Sequence, residues 1–120
     1  MITAIAFTMY PVADMSRARA FYETVLGLTV ARTFGDAWIE YDLRGATFAI
    51  SSMAEGVSPS ADAGGSIAFE VTDVDQIVAN LRAKHVRVKL EPMSTPVCRM
   101  AVILDSEGNA LTLHQATKTW

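Results

Sequence analysis

The chain states one pattern twice. Asp42-Leu-Arg-Gly45-Ala-Thr-Phe48-Ala49-Ile50-Ser51 aligns with Asp105-Ser-Glu-Gly108-Asn-Ala-Leu111-Thr112-Leu113-His114. An earlier pair runs in parallel, Ile5 through Asp14 against Gly64 through Asp73. Each half is therefore one complete copy of a module. A duplicated module puts equivalent residues in equivalent places, and it commonly builds a site between its copies.

The elements of each copy can be read from periodicity. In the first, Ile5 to Val12 is apolar and aromatic and reads as a strand, with Pro11 limiting its last rung. Asp14 stands where a helix N-cap belongs. Met15, Ala18, Tyr22, Val25 and Leu26 follow at helical spacing, and Gly27 is the stop. Thr29 to Phe34, Trp38 to Tyr41 and Thr47 to Ser51 supply three strands, with a turn at Asp42 to Gly45. In the second copy Ser66 to Val71 is a strand, and Asp73 caps a helix with Val74, Ile77, Val78 and Leu81 on one face. Val86 to Leu90 is a short strand, and Glu91 to Pro96, with two prolines, is a loop. Arg99 to Leu104 and Ala110 to Gln115 close a hairpin. Module one covers about 1–54 and module two about 66–116, joined by a linker rich in Ser, Pro and Gly at about 55–65.

Composition excludes several classes. At 120 residues the chain is one domain by length, and 51% apolar content is far from disorder. A formal charge of −3 with scattered basic residues argues against a nucleic-acid partner. Apolar runs are too short to span a bilayer, so no membrane partner is expected. Cys98 is the sole cysteine, which forbids an intrachain disulfide; with no basic-then-apolar leader at the start, a cytoplasmic location is expected.

Strand parity separates two faces, because side chains alternate along a strand. Ile39 and Tyr41; Phe48 and Ile50; Ile67, Phe69 and Val71; Met100, Val102 and Leu104; and Leu111 and Leu113 are assigned to the packed face under the helices. The opposite face then carries Phe7, Met9, Trp38, Glu40, Thr47, Ala49, Ser51, Ser66, Ala68, Glu70, Arg99, Ala101, Ile103, Thr112 and His114. A merely solvated face would lack the Trp, Phe and Met. Such a mixed lining suits a small-molecule cavity.

Val12-Ala-Asp14-Met15-Ser-Arg-Ala-Arg-Ala-Phe21-Tyr22-Glu-Thr-Val-Leu26-Gly27-Leu28 resembles the first helix of the vicinal-oxygen-chelate superfamily of glyoxalases, bleomycin-resistance proteins and extradiol dioxygenases. Asp105-Ser-Glu-Gly108-Asn-Ala-Leu-Thr-Leu113 is similar to that superfamily's closing hairpin. The resemblance spans nearly the whole chain. It implies an α+β fold of paired βαβββ modules, forming a curved mixed sheet around a cleft with the helices on the outer face. It also implies a homodimer, as do the sheet edges and aromatic residues that so small a domain would leave exposed. In the superfamily's enzymes, His, Gln or Glu side chains on the first and last strands of each module hold a divalent metal. Carried onto this sequence, those places are Phe7, Ala49, Ser66 and Thr112. None offers the imidazole, carboxylate or thiolate that such ions require. No metal and no cofactor are therefore expected.

Glu70 and His114 are the candidate acid/base residues, with His114 able to exchange a proton near neutrality. If Ser66 is level with Thr112, Ala68 lies beside His114 and Glu70 diagonally near it. The plain alternative for His114 is a hydrogen-bonded strand-end histidine, and for Glu70 an ion pair at the cleft mouth. Candidate ligand contacts are Phe7, Met9, Trp38, Glu40, Ala49, Ser51, Ser66, Arg99 and Thr112. Of these, Phe7, Met9 and Trp38 give stacking surface, and Arg99 gives an anion clamp or pairs with Glu70 or Glu40. The expected function is metal-free binding of an apolar or aromatic ligand in the cleft, with a cationic one also considered. A metal-independent isomerase or lyase using Glu70 or His114 is the alternative. A metal-dependent glyoxalase-like lyase is disfavoured by the four replaced positions.

Overall fold

The computed structural model describes residues 1, 3–64 and 66–117. The chain divides into two compact units between Pro59 and Ser60. That break falls inside the stretch expected as a linker, whose last residue, Gly65, lies outside the described residues. Each unit carries a helix and a four-stranded mixed sheet in βαβββ order, an α+β architecture.

In the first unit, β1 (Thr8–Pro11) precedes α1 (Met15–Arg19), and β2 (Val30–Phe34), β3 (Trp38–Leu43) and β4 (Ala46–Ser51) follow. The spatial order is β1-β4-β3-β2, with β1 parallel to β4. Asp14 accepts from the Arg17 amide at 3.0 Å, a cap worth about 1 kcal/mol. The helix expected to run evenly to Leu26 instead widens into a π-helical turn over Ala20–Val25, closed by the Leu26 amide on the Phe21 carbonyl at 2.9 Å. The wider turn lets consecutive aromatics face the sheet together: Phe21 and Tyr22 are both buried.

Tyr22 packs on Phe48 with ring centroids 5.1 Å apart, and Tyr10 meets Phe48 edge-on. Burying each such ring contributes ~1.5–3 kcal/mol. The Tyr41 hydroxyl donates to Glu23 at 2.9 Å, and Arg19 pairs with the same carboxylate at 2.7 Å. Burial, and then the Glu23 carboxylate beside it, push the Tyr41 phenol up; the Arg19 hydrogen bond holds Glu23 below the usual carboxylate range.

The second unit repeats the plan with β5 (Ile67–Glu70), α2 (Val74–Ala83), β6 (Val88–Ser94), β7 (Cys98–Leu104) and β8 (Ala110–Ala116), in spatial order β5-β8-β7-β6. Asp73 caps α2 by accepting from Gln76, and the Gln115 side chain accepts from Val74 at 2.9 Å. Val74, Val78 and Leu81 are buried where α2 lies on β6, β7 and β8. The strand expected to end at Leu90 runs on to Ser94, so most of the expected Glu91–Pro96 loop is strand. Pro92 is tolerated because β6 is the last strand in its sheet and its register shifts around that position.

The repeated phrase folds into two different turns. In unit one Arg44 and Gly45, at φ 55° and 91°, make a two-residue hairpin of the kind that needs positive φ at both places. In unit two the strands part earlier. Asp105 and Asn109 pair across a longer loop, with Gly108 at φ 90°. Among the described residues, no helix is long and apolar enough to cross a membrane.

Candidate functional site

In unit one the sheet face turned away from α1 is a set of rings around one carboxylate. The tight β2–β3 hairpin pairs Phe34 with Trp38 and Arg32 with Glu40. β3 and β4 then pair Glu40 with Ala49, and β1 brings Met9 level with Ala49. Glu40 Oε2 accepts from the Trp38 indole N–H at 2.8 Å, and Glu40 Oε1 accepts from Arg32 Nε at 2.8 Å. The indole and the Phe7 ring meet edge-to-face at 5.1 Å. The Arg32 guanidinium lies 5.9 Å from the centre of the Phe34 ring. Phe7 and Phe34 are about half exposed, at 47% and 58%, while Glu40 keeps only 8% of its surface.

Both Glu40 oxygens are thus committed. The indole N–H, and then the Arg32 hydrogen bond, hold its carboxyl below the usual range. Glu40 is expected as a ligand contact or as a partner of Arg99; here it is covered, and its partner is Arg32. Because its folded pKa is depressed, Glu40 contributes stability above the unfolded carboxylate pKa, and that contribution disappears as pH falls through the lower folded value. In a Trp120→Phe background, Trp38 emission should therefore hold steady on acidification through the ordinary glutamate range. It should change only below that range, a result that a fluorescence pH titration checks.

Ala49 is fully covered in the row it shares with Glu40 and Met9, and Ser51 is 1% exposed with its hydroxyl accepting from the Met53 amide at 3.2 Å. Both fill space and present no polar group to a ligand, in contrast to the contact role expected for them.

In unit two the register differs from expectation by two residues. Ala68, not Ser66, is level with Thr112, and Glu70 is level with His114. Glu70 therefore stands directly beside the imidazole, with Oε1 2.6 Å from His114 Nδ1. Its other oxygen accepts from the Ala116 amide at 2.8 Å. The amide, and then the imidazole, lower the Glu70 pKa. Ser66 and Thr112 do come together, lining a shallow pocket of about 370 Å³ with Lys89, Leu90, Val102 and Ala110.

Arg99 is on the other face. β7 pairs Arg99 with Gln115, Ala101 with Leu113 and Ile103 with Leu111, so these residues face α2. Arg99 grips Asp75 at the start of α2 through Nε at 2.6 Å and Nη2 at 2.8 Å. The set expected under the helix, Met100, Val102 and Leu104, lies instead on the helix-free face with His114, Thr112 and Ala110. The run Met100-Ala-Val-Ile-Leu104 is apolar on both parities, so alternation carries no phase there.

Arg32 and Phe34 are the members that sequence reasoning missed. A signal existed: three residues separate Phe34 from Trp38, and a hairpin that short fixes Arg32 opposite Glu40.

A model of the Glyoxalase/Bleomycin resistance protein/Dioxygenase superfamily matches residues 4–113. The chain belongs to that superfamily. Among solved structures similar to it is TnmS3, an antibiotic binding protein from Streptomyces sp. CB03234, at 25% identity and a TM-score of 0.79, covering 97% of this chain and 98% of that one. Lactoylglutathione lyase from Agrobacterium tumefaciens aligns at 20% identity and 0.74, over 95% and 94% of the two chains. The fosfomycin resistance protein FosX from Listeria monocytogenes aligns at 17% and 0.74, over 98% and 96%. A search of curated protein sequences finds no match.

The divalent metal that the superfamily's enzymes use does not fit this donor set. The corresponding places carry the Phe7 ring, the Ala49 methyl and the Ser66 and Thr112 hydroxyls. The residues level with Ala49 and Thr112 are Met9 and Ala68, which are no better for such an ion. Among the described residues no three His, Cys, Asp or Glu side chains gather at one place.

Proposed function

We propose that the protein is a metal-free small-molecule binding protein of the glyoxalase/bleomycin-resistance type, holding a flat aromatic ligand against the ring-lined face of its first sheet. One observation carries this: Trp38 meets Phe7 edge-on, pairs with Phe34 across the hairpin, and holds a Glu40 carboxylate whose charge Arg32 already answers. Such a surface favours stacking over capture of a cation. Arg32 spends Nε on Glu40 and is 66% exposed in its side chain, so its remaining N–H groups suit an acidic edge on the ligand. The likeness to an antibiotic binding protein at 25% identity supports the same class. The test is calorimetric titration with a planar aromatic acid, naphthoate, on chelator-treated protein. Saturable binding without turnover is expected. Binding or turnover that appears only on adding a divalent metal overturns the reading.

A second reading rests on the 2.6 Å Glu70–His114 contact, in which the carboxylate orients the imidazole for metal-independent isomerase or lyase chemistry. It requires that turnover of some substrate be lost in both Glu70→Gln and His114→Gln. If catalysis survives both substitutions, that reading fails.

The same proposal includes a cytoplasmic homodimer. Phe34 and Leu90 are exposed on the outermost strands β2 and β6, where apolar surface and open strand edges favour association. Light scattering at micromolar concentration should give twice the 13.0 kDa chain mass. A value of one chain contradicts it.

A further inference from the structure

One row of the second sheet carries a chemistry that ligand binding does not use. Strand pairing sets Met93 of β6 opposite Met100 of β7, Met100 opposite His114 of β8, and His114 beside Glu70 of β5. Directly paired residues share a face, so four consecutive strands present two thioethers, an imidazole and a carboxylate in line. That face is the one turned away from α2. Met93 is 42% exposed and the His114 side chain 27%, so the row is open to a solute.

Met100 stands between Met93 and His114, so a cation over Met100 has the other two donors on either side. Paired side chains stand roughly 4.5–5.5 Å apart at Cβ, and methionine's three rotatable bonds let each sulfur swing toward the middle of the row. The imidazole is already oriented. Glu70 Oε1 engages Nδ1 at 2.6 Å and is itself steadied by the Ala116 amide at 2.8 Å. A carboxylate on one ring nitrogen, leaving the other to face a metal, is the usual support of a ligating histidine. Two thioethers with one imidazole are a poor set for Zn, Ni, Fe or Mn and a good one for a soft monovalent cation. The divalent-metal places of the superfamily do not include these residues.

We infer that Met93, Met100 and His114 form a binding site for a soft monovalent cation, Cu(I) or its redox-inert analogue Ag(I), with Glu70 as the positioning residue for His114. Binding there involves no redox step. It is independent of the ligand reading, which uses unit one residues.

The experiment uses the full chain with its six methionines labelled at the ε-methyl. Addition of Ag(I) should shift the Met93 and Met100 signals together, saturating at one equivalent, and leave Met9 and Met53 in place. Competition of Cu(I) against bicinchoninate under anaerobic conditions should show at least a tenfold loss of affinity in Met93→Leu and Met100→Leu, which keep the side-chain volume. Glu70→Gln should weaken binding roughly 10–100-fold, as loss of a supporting carboxylate does. Cys98→Ser should leave affinity unchanged, which separates this site from the one thiol in the chain. Shifts at other methionines, affinity unchanged in both leucine variants, or loss of binding in Cys98→Ser alone overturns the proposal.

Discussion

Asp105→Ala should cost about 3–5 kcal/mol of folding stability, whereas Asp42→Ala, at the same place in the other copy of the repeated phrase, should cost under ~1 kcal/mol. The two aspartates look equivalent in sequence and are not equivalent in structure. Asp42 is exposed, and its carboxylate accepts from the Gly45 amide at 3.1 Å. Asp105 is 3% exposed and accepts from the Glu107 and Asn109 amides, both at 2.8 Å, and from the Asn109 side chain at 3.0 Å. Asn109 in turn accepts from the Ser60 amide at 3.1 Å, so the carboxylate anchors the start of its own unit as well as the hairpin.

Removing the Asp105 carboxylate leaves three donors without that acceptor, two of them on the buried Asn109, and an unsatisfied buried group costs about 1–3 kcal/mol. Asp105→Asn keeps one acceptor oxygen and should fall between wild type and alanine. Urea unfolding midpoints check the order. Equal losses at Asp42 and Asp105 would show that the buried network is not what holds this hairpin.

Trp38→Ala should weaken aromatic-ligand binding by about 30–1000-fold, the ~2–4 kcal/mol typical of a central aromatic anchor. The indole does two things at once. It meets Phe7 at 5.1 Å, and through its N–H it fixes one oxygen of Glu40, whose other oxygen fixes Arg32. Alanine removes the stacking surface and frees the carboxylate to draw Arg32 elsewhere. Trp38→Phe keeps a ring and loses only the N–H, which bonds Glu40 and not the ligand, so it should cost ~10-fold or less in affinity. This pair of variants keeps the test meaningful if the alanine protein is poorly folded. Calorimetry with naphthoate reads both. Similar affinity in wild type and Trp38→Ala would remove the ring-lined face from the site.

Much of this was legible in the sequence, and the reasons differ by element. The helix starts were clear because Asp14 and Asp73 each precede a helical apolar stripe, and both act as caps. Parity worked on β3 and β4, where Ile39, Tyr41, Phe48 and Ile50 are buried beneath the helix and Trp38 and Glu40 share the other face. It failed on β7, where both faces are covered by apolar side chains and nothing polar marks the phase. Arg99 was lost to the site with that error.

The one parallel register that was expected, Ser66 level with Thr112, was off by two residues, with Ala68 in that place. Parallel strands are joined by a helix rather than a turn, so no local chemistry sets their alignment. The π-helical turn and the extension of β6 through Pro92 were invisible because each depends on tertiary setting: two adjacent rings seeking one core, and a strand edge that needs no donor. The Glu70–His114 contact followed once the register was known.

The most direct measurement is a calorimetric titration of chelator-treated protein with naphthoate, run beside Trp38→Ala and repeated after adding divalent metal. The expected result is saturable binding by the stripped wild type, unchanged by added metal and lost in Trp38→Ala. Binding that requires the metal, or that survives loss of Trp38, would contradict a metal-free site built on the aromatic face.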